Sequence, residues 1–172
     1  CEYYFENAAE FLEDKIINDN AQKYIITIQP LGIILGIMPW NFPFWQVFRF
    51  AIPTIIAGNG AILKHASNVQ GCAFAIESCF KKAGFPSDIF RNVSVSGKNT
   101  KNVIKDPRIA AVTITGSTPA GRSVAKVAGE YLKKTVLELG GSDPYVILDD
   151  ADIDKTVDAV SYTHLTLPTR RG

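Results

Sequence analysis

The sequence predicts an α/β fold, a Rossmann-like parallel sheet with helices on both faces. Short runs that are β-branched and apolar nearly throughout, such as IILGIM (33–38) and IAAVTIT (109–115), alternate with longer segments of helical period. Strands read this way when helices cover the sheet above and below, which is the condition of a parallel sheet. At 172 residues, 47% hydrophobic and 20% charged, the chain suits one domain or a piece of a larger one.

Taken in order, CEYYFENAAEFLEDK has helical spacing, and a polar stretch from Asn18 to Gln22 leads into YIITIQP, whose β-branched residues read as a strand. Further strands are expected at 33–38, 61–65, 89–95, 109–115, 134–139 and 145–149, with helices near 44–57, 68–83, 99–105 and 119–132. Within 68–83, Val69, Cys72, Ala73, Ile76, Cys79, Phe80 and Ala83 recur at steps of three and four, and Gly84 with Pro86 supplies the stop. Cys72 and Cys79 should therefore point together into a core as inert packing residues. The segment DADIDKTVDAV begins a last helix, and the pattern is lost at Ser161. Residues 161–172, SYTHLTLPTRRG, are read as a tail foreign to the domain, and the helix is expected to break there.

The formal net charge is +1, with lysines and arginines scattered, so there is no basic stripe for nucleic acid or an anionic membrane. The longest apolar stretch, 42–56, is interrupted by Gln46, Arg49 and Pro53 and falls short of the roughly 20 residues of a membrane span. The opening helix is acidic where a signal peptide would be basic, so a cytoplasmic protein is expected. The cysteines, Cys1, Cys72 and Cys79, lack metal-ligand spacing, and no metal site is expected.

Just past the strand 33–38 stands Pro39-Trp40-Asn41-Phe42-Pro43. Proline fixes φ and biases its predecessor toward extended backbone, so this is a rigid corner at the carboxyl end of a strand, where ligands of such folds bind. Asn41 is its one polar side chain; it could donate to a developing oxyanion or simply tie up its own turn. In TITGSTPAG, Gly116 permits close backbone approach, Ser117 or Thr118 can cap, and a helix N-terminus attracts phosphate, though such junctions are common. In VLELGGSDP, Glu138 lies in an apolar strand, where burial would push its pKa toward that of a general base; a satisfied structural glutamate is the alternative. Lys64 could reach ribose hydroxyls or be solvated, and His65 beside it reads as structural.

MPWNFPFW, AILKHAS, ITGSTPAG and LELGGSDP, in this order, resemble the coenzyme-binding domain of the aldehyde dehydrogenase superfamily, most of all bacterial NAD(P)-dependent succinate semialdehyde dehydrogenases. The resemblance covers 1–160, which it implies to be an incomplete NAD(P)-binding domain. It implies that Asn41 is the oxyanion-hole amide and that Ile37, Met38, Pro39 and Trp40 line the coenzyme cleft. Lys64 would hold the adenosine ribose, Gly116, Ser117 and Leu139 would meet the rest of the coenzyme, and Glu138 would activate the hydrolytic water. Ser67 stands where many NAD-preferring members carry a glutamate, so NADP should be tolerated beside NAD. Arg49 matches an arginine that would hold the carboxylate of a small aldehyde substrate, although a lone helical arginine is commonly solvated.

The family's cysteine nucleophile sits in a Gly-Gln-x-Cys segment downstream of the glutamate, and no such segment occurs here. The resemblance thus implies a fragment of an enzyme, inactive as written, whose parent is a homodimer or homotetramer. Two alternatives stand beside it: a non-catalytic nucleotide-binding or interaction module, and an acyl-phosphate reductase, which would need no water activator.

Overall fold

The computed structural model describes residues 1–19, 22–141 and 144–163. Its centre is a five-stranded sheet of β3 (Ile33–Met38), β4 (Gly60–His65), β5 (Phe90–Asn92), β6 (Ile109–Thr115) and β7 (Lys134–Glu138). The order is β5-β4-β3-β6-β7 and every neighbouring pair is parallel. Parallel neighbours need crossovers. They are α2 (Trp45–Ile56) between β3 and β4, α3 (Gln70–Lys82) before β5, α4 (Thr100–Lys105) before β6 and α5 (Thr118–Glu130) before β7. Helix α1 (Glu2–Leu12) and an antiparallel hairpin of β1 (Lys15–Asp19) and β2 (Gln22–Ile26) precede the sheet, and α6 (Ile153–Thr163) follows it.

Alternation along β3 divides the core in two. Ile34 and Met38 pack with Val47, Phe50 and Ala51 of α2 and with Ala73, Ile76 and Phe80 of α3. Leu35, Val112 and Ile114 pack with Ile104 of α4 and with Val124 and Ala128 of α5. A Leu, Ile, Val, Phe or Met side chain so buried contributes about 1.5–3 kcal/mol, and these contacts hold the helices on the two faces of the sheet. The α2 contact is close at Gly36, where an added Cβ would lie 2.3 Å from Cε1 of Phe50. Asn59, 7% exposed, ties the end of α2 to the entry of β3. Its Oδ1 accepts the Leu31 and Gly32 amides at 2.7 and 3.0 Å, and its Nδ2 donates to the Thr54 carbonyl at 3.2 Å.

Several expectations need correction. The single strand over 24–30 is instead the hairpin, with Ile17 opposite Tyr24, and 27–30 lie outside it. The polar residues near its turn hid β1, since Ile16 and Ile17 are too short a run to read alone. Residues 145–149 form no strand of either sheet, and Val146, Ile147 and Leu148 are exposed. β-propensity favours extended backbone, but a strand also needs a sheet edge to join. Cys72 is half-buried and Cys79 exposed, because α3 buries the stripe Ala73, Ile76 and Phe80 one position off. β7 is exposed along its whole length, so Glu138 does not have the burial expected of it. An edge strand has one neighbour, and nothing among the described residues covers its outer side. Helix α6 runs on to Thr163, past the expected break at Ser161; residues 164–172 of the tail lie outside the described residues.

Candidate active site at the carboxyl edge of the sheet

The chain runs from β3 through β4 to β5 in one direction and from β6 to β7 in the other, so the strand order reverses between β3 and β6. Loops diverging at such a point leave a crevice at the carboxyl ends of the strands. Register places the candidate residues there: Ile37 pairs with both Lys64 and Ile114, and Thr115 with Glu138. The corner 39–43 leaves β3, Ser67 opens a 3₁₀ turn (67–69) after β4, Gly116 and Ser117 leave β6, and Leu139 leaves β7.

Asn41 is exposed and its amide makes no hydrogen bond to the described residues, so it does not tie up its own turn. Trp40 beside it is exposed and Pro39 half-buried. The Met38 side chain is in the core, 4% exposed, and its carbonyl accepts the Ala66 amide at 3.1 Å. Met38 therefore borders the crevice through its backbone alone.

At the β6 junction the Ser117 hydroxyl accepts the Ala120 amide at 3.4 Å and Pro119 occupies the first turn of α5, so Ser117 is the cap. The Gly116 amide donates to the Glu138 carbonyl at 3.0 Å, which joins the ends of β6 and β7. An added Cβ at Gly116 would meet Ile114 at an ordinary 3.8 Å, so packing within the chain does not require glycine there. At Gly121 the contact is closer: a Cβ would lie 2.4 Å from Cδ2 of Leu139, so the leucine that packs the end of β7 onto α5 would have to shift.

Between α4 and α5 opens a cleft of about 360 Å³ with an apolar lining that includes Ile37, Ile104, Ile114 and Val124. Lys64, Lys98 and Lys101 line it too, and no carboxylate does. Burial lowers the pKa of the Lys64 ammonium from its ordinary value. An apolar slot ringed by cations suits a flat ring system carrying an anionic group. Lys98 and Lys101 escaped the sequence reading; their signal is the KNTK segment that follows β5 and opens α4.

At the other end of the edge, Arg49 of α2 lies 3.6 Å from Glu138, and its guanidinium stands 5.4 Å from the ring centroid of Trp45. The structure thus gives Glu138 a partner that the sequence did not reveal, and brings it together with two residues of the β3–α2 crossover. Cys1 and Cys79 line an apolar groove beside α1, α2 and α3. Cys72, also on α3, belongs to the same side of the sheet. Among the described residues no cluster of His, Cys, Asp and Glu could hold a metal ion, and no helix is long and apolar enough to cross a membrane.

The profile of the aldehyde dehydrogenase family matches residues 1–166. The chain is 52% identical over 157 residues to a probable succinate-semialdehyde dehydrogenase [NADP(+)] of Synechocystis, covering 91% of this chain and 35% of that protein. It is 49% identical over 159 residues to the succinate semialdehyde dehydrogenase [NAD(P)+] Sad of Escherichia coli, covering 92% and 34%. The crystal structure of succinic semialdehyde dehydrogenase from Streptococcus pyogenes in complex with NADP+ superposes with a TM-score of 0.89 at 38% identity, covering 95% of this chain and 36% of that one. The chain therefore spans about 35% of the length of such a curated relative. A family profile over nearly its whole length, on a parallel sheet of matching topology, means that the chain belongs to the aldehyde dehydrogenase family.

Proposed function

We propose that this chain is the coenzyme-binding part of an NAD(P)-dependent aldehyde dehydrogenase that oxidises succinate semialdehyde to the acid. The observation that supports the reading is the Arg49–Glu138 pair at the carboxyl end of β7 on the same edge as the lysine-ringed cleft of Ile37, Lys64 and Ile114. The residues fit a dinucleotide: the apolar slot takes the adenine, Lys64 and Ser67 the ribose, and Gly116 with the capped N-terminus of α5 the pyrophosphate. Ser67 sets no carboxylate against a 2′-phosphate, which supports use of NADP as well as NAD.

The bound coenzyme supplies a hydride acceptor. A thiolate from another part of the parent adds to the aldehyde carbon, and the Asn41 amide, without a partner among the described residues, donates to the oxygen as it gains charge. Cys1, Cys72 and Cys79 are read as not supplying the thiolate, because none stands in a Gly-Gln-x-Cys segment. After hydride departure leaves a thioester, Glu138 takes a proton from the water that attacks it, releasing the acid and the thiol. Arg49 holds the distal carboxylate of the substrate with its planar fork.

The parent is read as a cytoplasmic homodimer or homotetramer. Exposed Ile16, Ile17, Tyr24 and Ile25 on the hairpin support an interface, since exposed apolar patches mark contact surfaces. The deciding experiment is an assay of the full-length protein with succinate semialdehyde, following reduction of NAD and of NADP. Succinate formation stoichiometric with reduced coenzyme is expected. No turnover of any aldehyde, with coenzyme still bound, would leave a non-catalytic nucleotide-binding module.

A further inference from the structure

We infer that His65 is a positioning residue whose imidazole ties the far end of the corner 39–43, at Pro43, to the end of β4 and so fixes where the Asn41 amide points. The inference rests on the oxyanion reading of Asn41. His65 ends β4 directly beside Met38 in the parallel register, and it is 1% exposed. Its ring spans the mouth of the corner. Nδ1 lies 3.2 Å from the carbonyl of Met38, the residue before the corner, and Nε2 lies 2.9 Å from the carbonyl of Pro43, the residue that ends it.

The Pro43 carbonyl can only accept, so Nε2 carries a proton and donates to it. Nδ1 then accepts the Ala66 amide at 3.1 Å, an amide shared with the Met38 carbonyl at the same distance. These bonds matter because the corner has little else to hold it. Pro39 and Pro43 have no N–H, and the Phe42 carbonyl accepts the Gln46 amide at 3.1 Å, which ties the corner forward to α2 but not to β4. Trp40, Asn41 and Phe42 are all exposed, so packing does not fix them either. A buried histidine satisfied by unrelated neighbours would be a core residue; this one donates to the end of the corner at Pro43 and accepts the Ala66 amide that also holds Met38 at its start. The clamp also links two crossovers, since the corner leads into α2 while His65 closes β4.

The test is a kinetic comparison of Asn41→Ala, His65→Leu and His65→Gln in the full-length protein. Asn41→Ala should lower kcat about 100- to 1000-fold, the effect of losing one oxyanion donor. His65→Leu should lower kcat about 10- to 100-fold by letting that donor drift, while coenzyme affinity holds. His65→Gln, whose side-chain NH₂ can reach the Pro43 carbonyl, should restore most of the rate. If His65→Leu does not fold, His65→Asn replaces it: its shorter amide does not span to Pro43, and it should be slow where His65→Gln is not. A His65 variant that melts earlier but keeps wild-type kcat per folded molecule, beside an impaired Asn41→Ala, overturns the clamp alone. Unchanged kcat in Asn41→Ala overturns the oxyanion reading and the clamp with it.

Discussion

Arg49 and Glu138 meet at 3.6 Å across the crevice, with side chains 48% and 50% exposed. An ion pair in that much solvent contributes about 0–1 kcal/mol, too little to explain the pair as a stabilising device. Its interest lies in competition: under the proposed function, a substrate carboxylate arriving at Arg49 would take the partner that Glu138 holds without it.

Arg49→Ala should therefore raise KM for succinate semialdehyde about 10- to 150-fold, the worth of a hydrogen-bonded charge, and leave an uncharged aldehyde such as butanal unaffected. Steady-state kinetics on both aldehydes decide it. Equal losses on the two would show that Arg49 supports the fold and not the substrate.

Glu138→Gln should slow thioester hydrolysis by about 10² to 10⁴ while sparing hydride transfer. Rapid mixing should then show a burst of reduced coenzyme equal to the active sites, followed by a slow phase. Loss of the burst itself would move Glu138 to an earlier step.

Ser67→Glu should weaken NADP and leave NAD nearly untouched, because a carboxylate beside the ribose repels a 2′-phosphate. Isothermal titration with each coenzyme measures the two affinities. A parallel loss of both would remove Ser67 from the ribose site.

The parts of this picture legible in the sequence are those encoded locally. The strands at 33–38 and 109–115 appear with the expected ends, since β-branched runs bounded by turn residues need no distant information. The corner, the Ser117 cap and the arrival of each candidate at a strand's carboxyl end follow for the same reason. What stayed hidden depends on residues far apart in the chain: the Arg49–Glu138 pair, the convergence of Lys98 and Lys101 on the cleft of Lys64, and the span of His65 across the corner. Residues 145–149 failed in the opposite sense, having the composition of a strand while joining neither sheet.

Packing at Gly36 makes a separate prediction. Alanine there would place its Cβ within 2.3–2.7 Å of three ring atoms of Phe50, a rigid group that is 8% exposed. Overpacking of this kind costs about 1–3 kcal/mol, so Gly36→Ala should lower the midpoint of thermal unfolding in the full-length protein. An unchanged midpoint would show that α2 can move off the sheet.

Glu77 carries a pH dependence of stability. Burial alone would raise its pKa, but hydrogen bonds from the Asn92 amide and Lys81, with the charge of Lys81 and the bond from Arg91, outweigh that and hold it below its ordinary value of 4.5. A carboxylate depressed on folding stabilises the native state above its unfolded pKa, and that stabilisation is lost as pH falls through the folded value. Glu77→Gln should therefore be less stable than wild type near neutrality and converge with it at acid pH. Denaturant titrations across that range test the sign; a constant difference would refute it.

The division of the site among crossovers also bears on how such proteins diversify. Ser67 follows β4, whereas Arg49 sits on the helix after β3. If Ser67 and Arg49 act as proposed, preference for one coenzyme and preference for one aldehyde are inherited on different segments, and either can drift while selection holds the other constant.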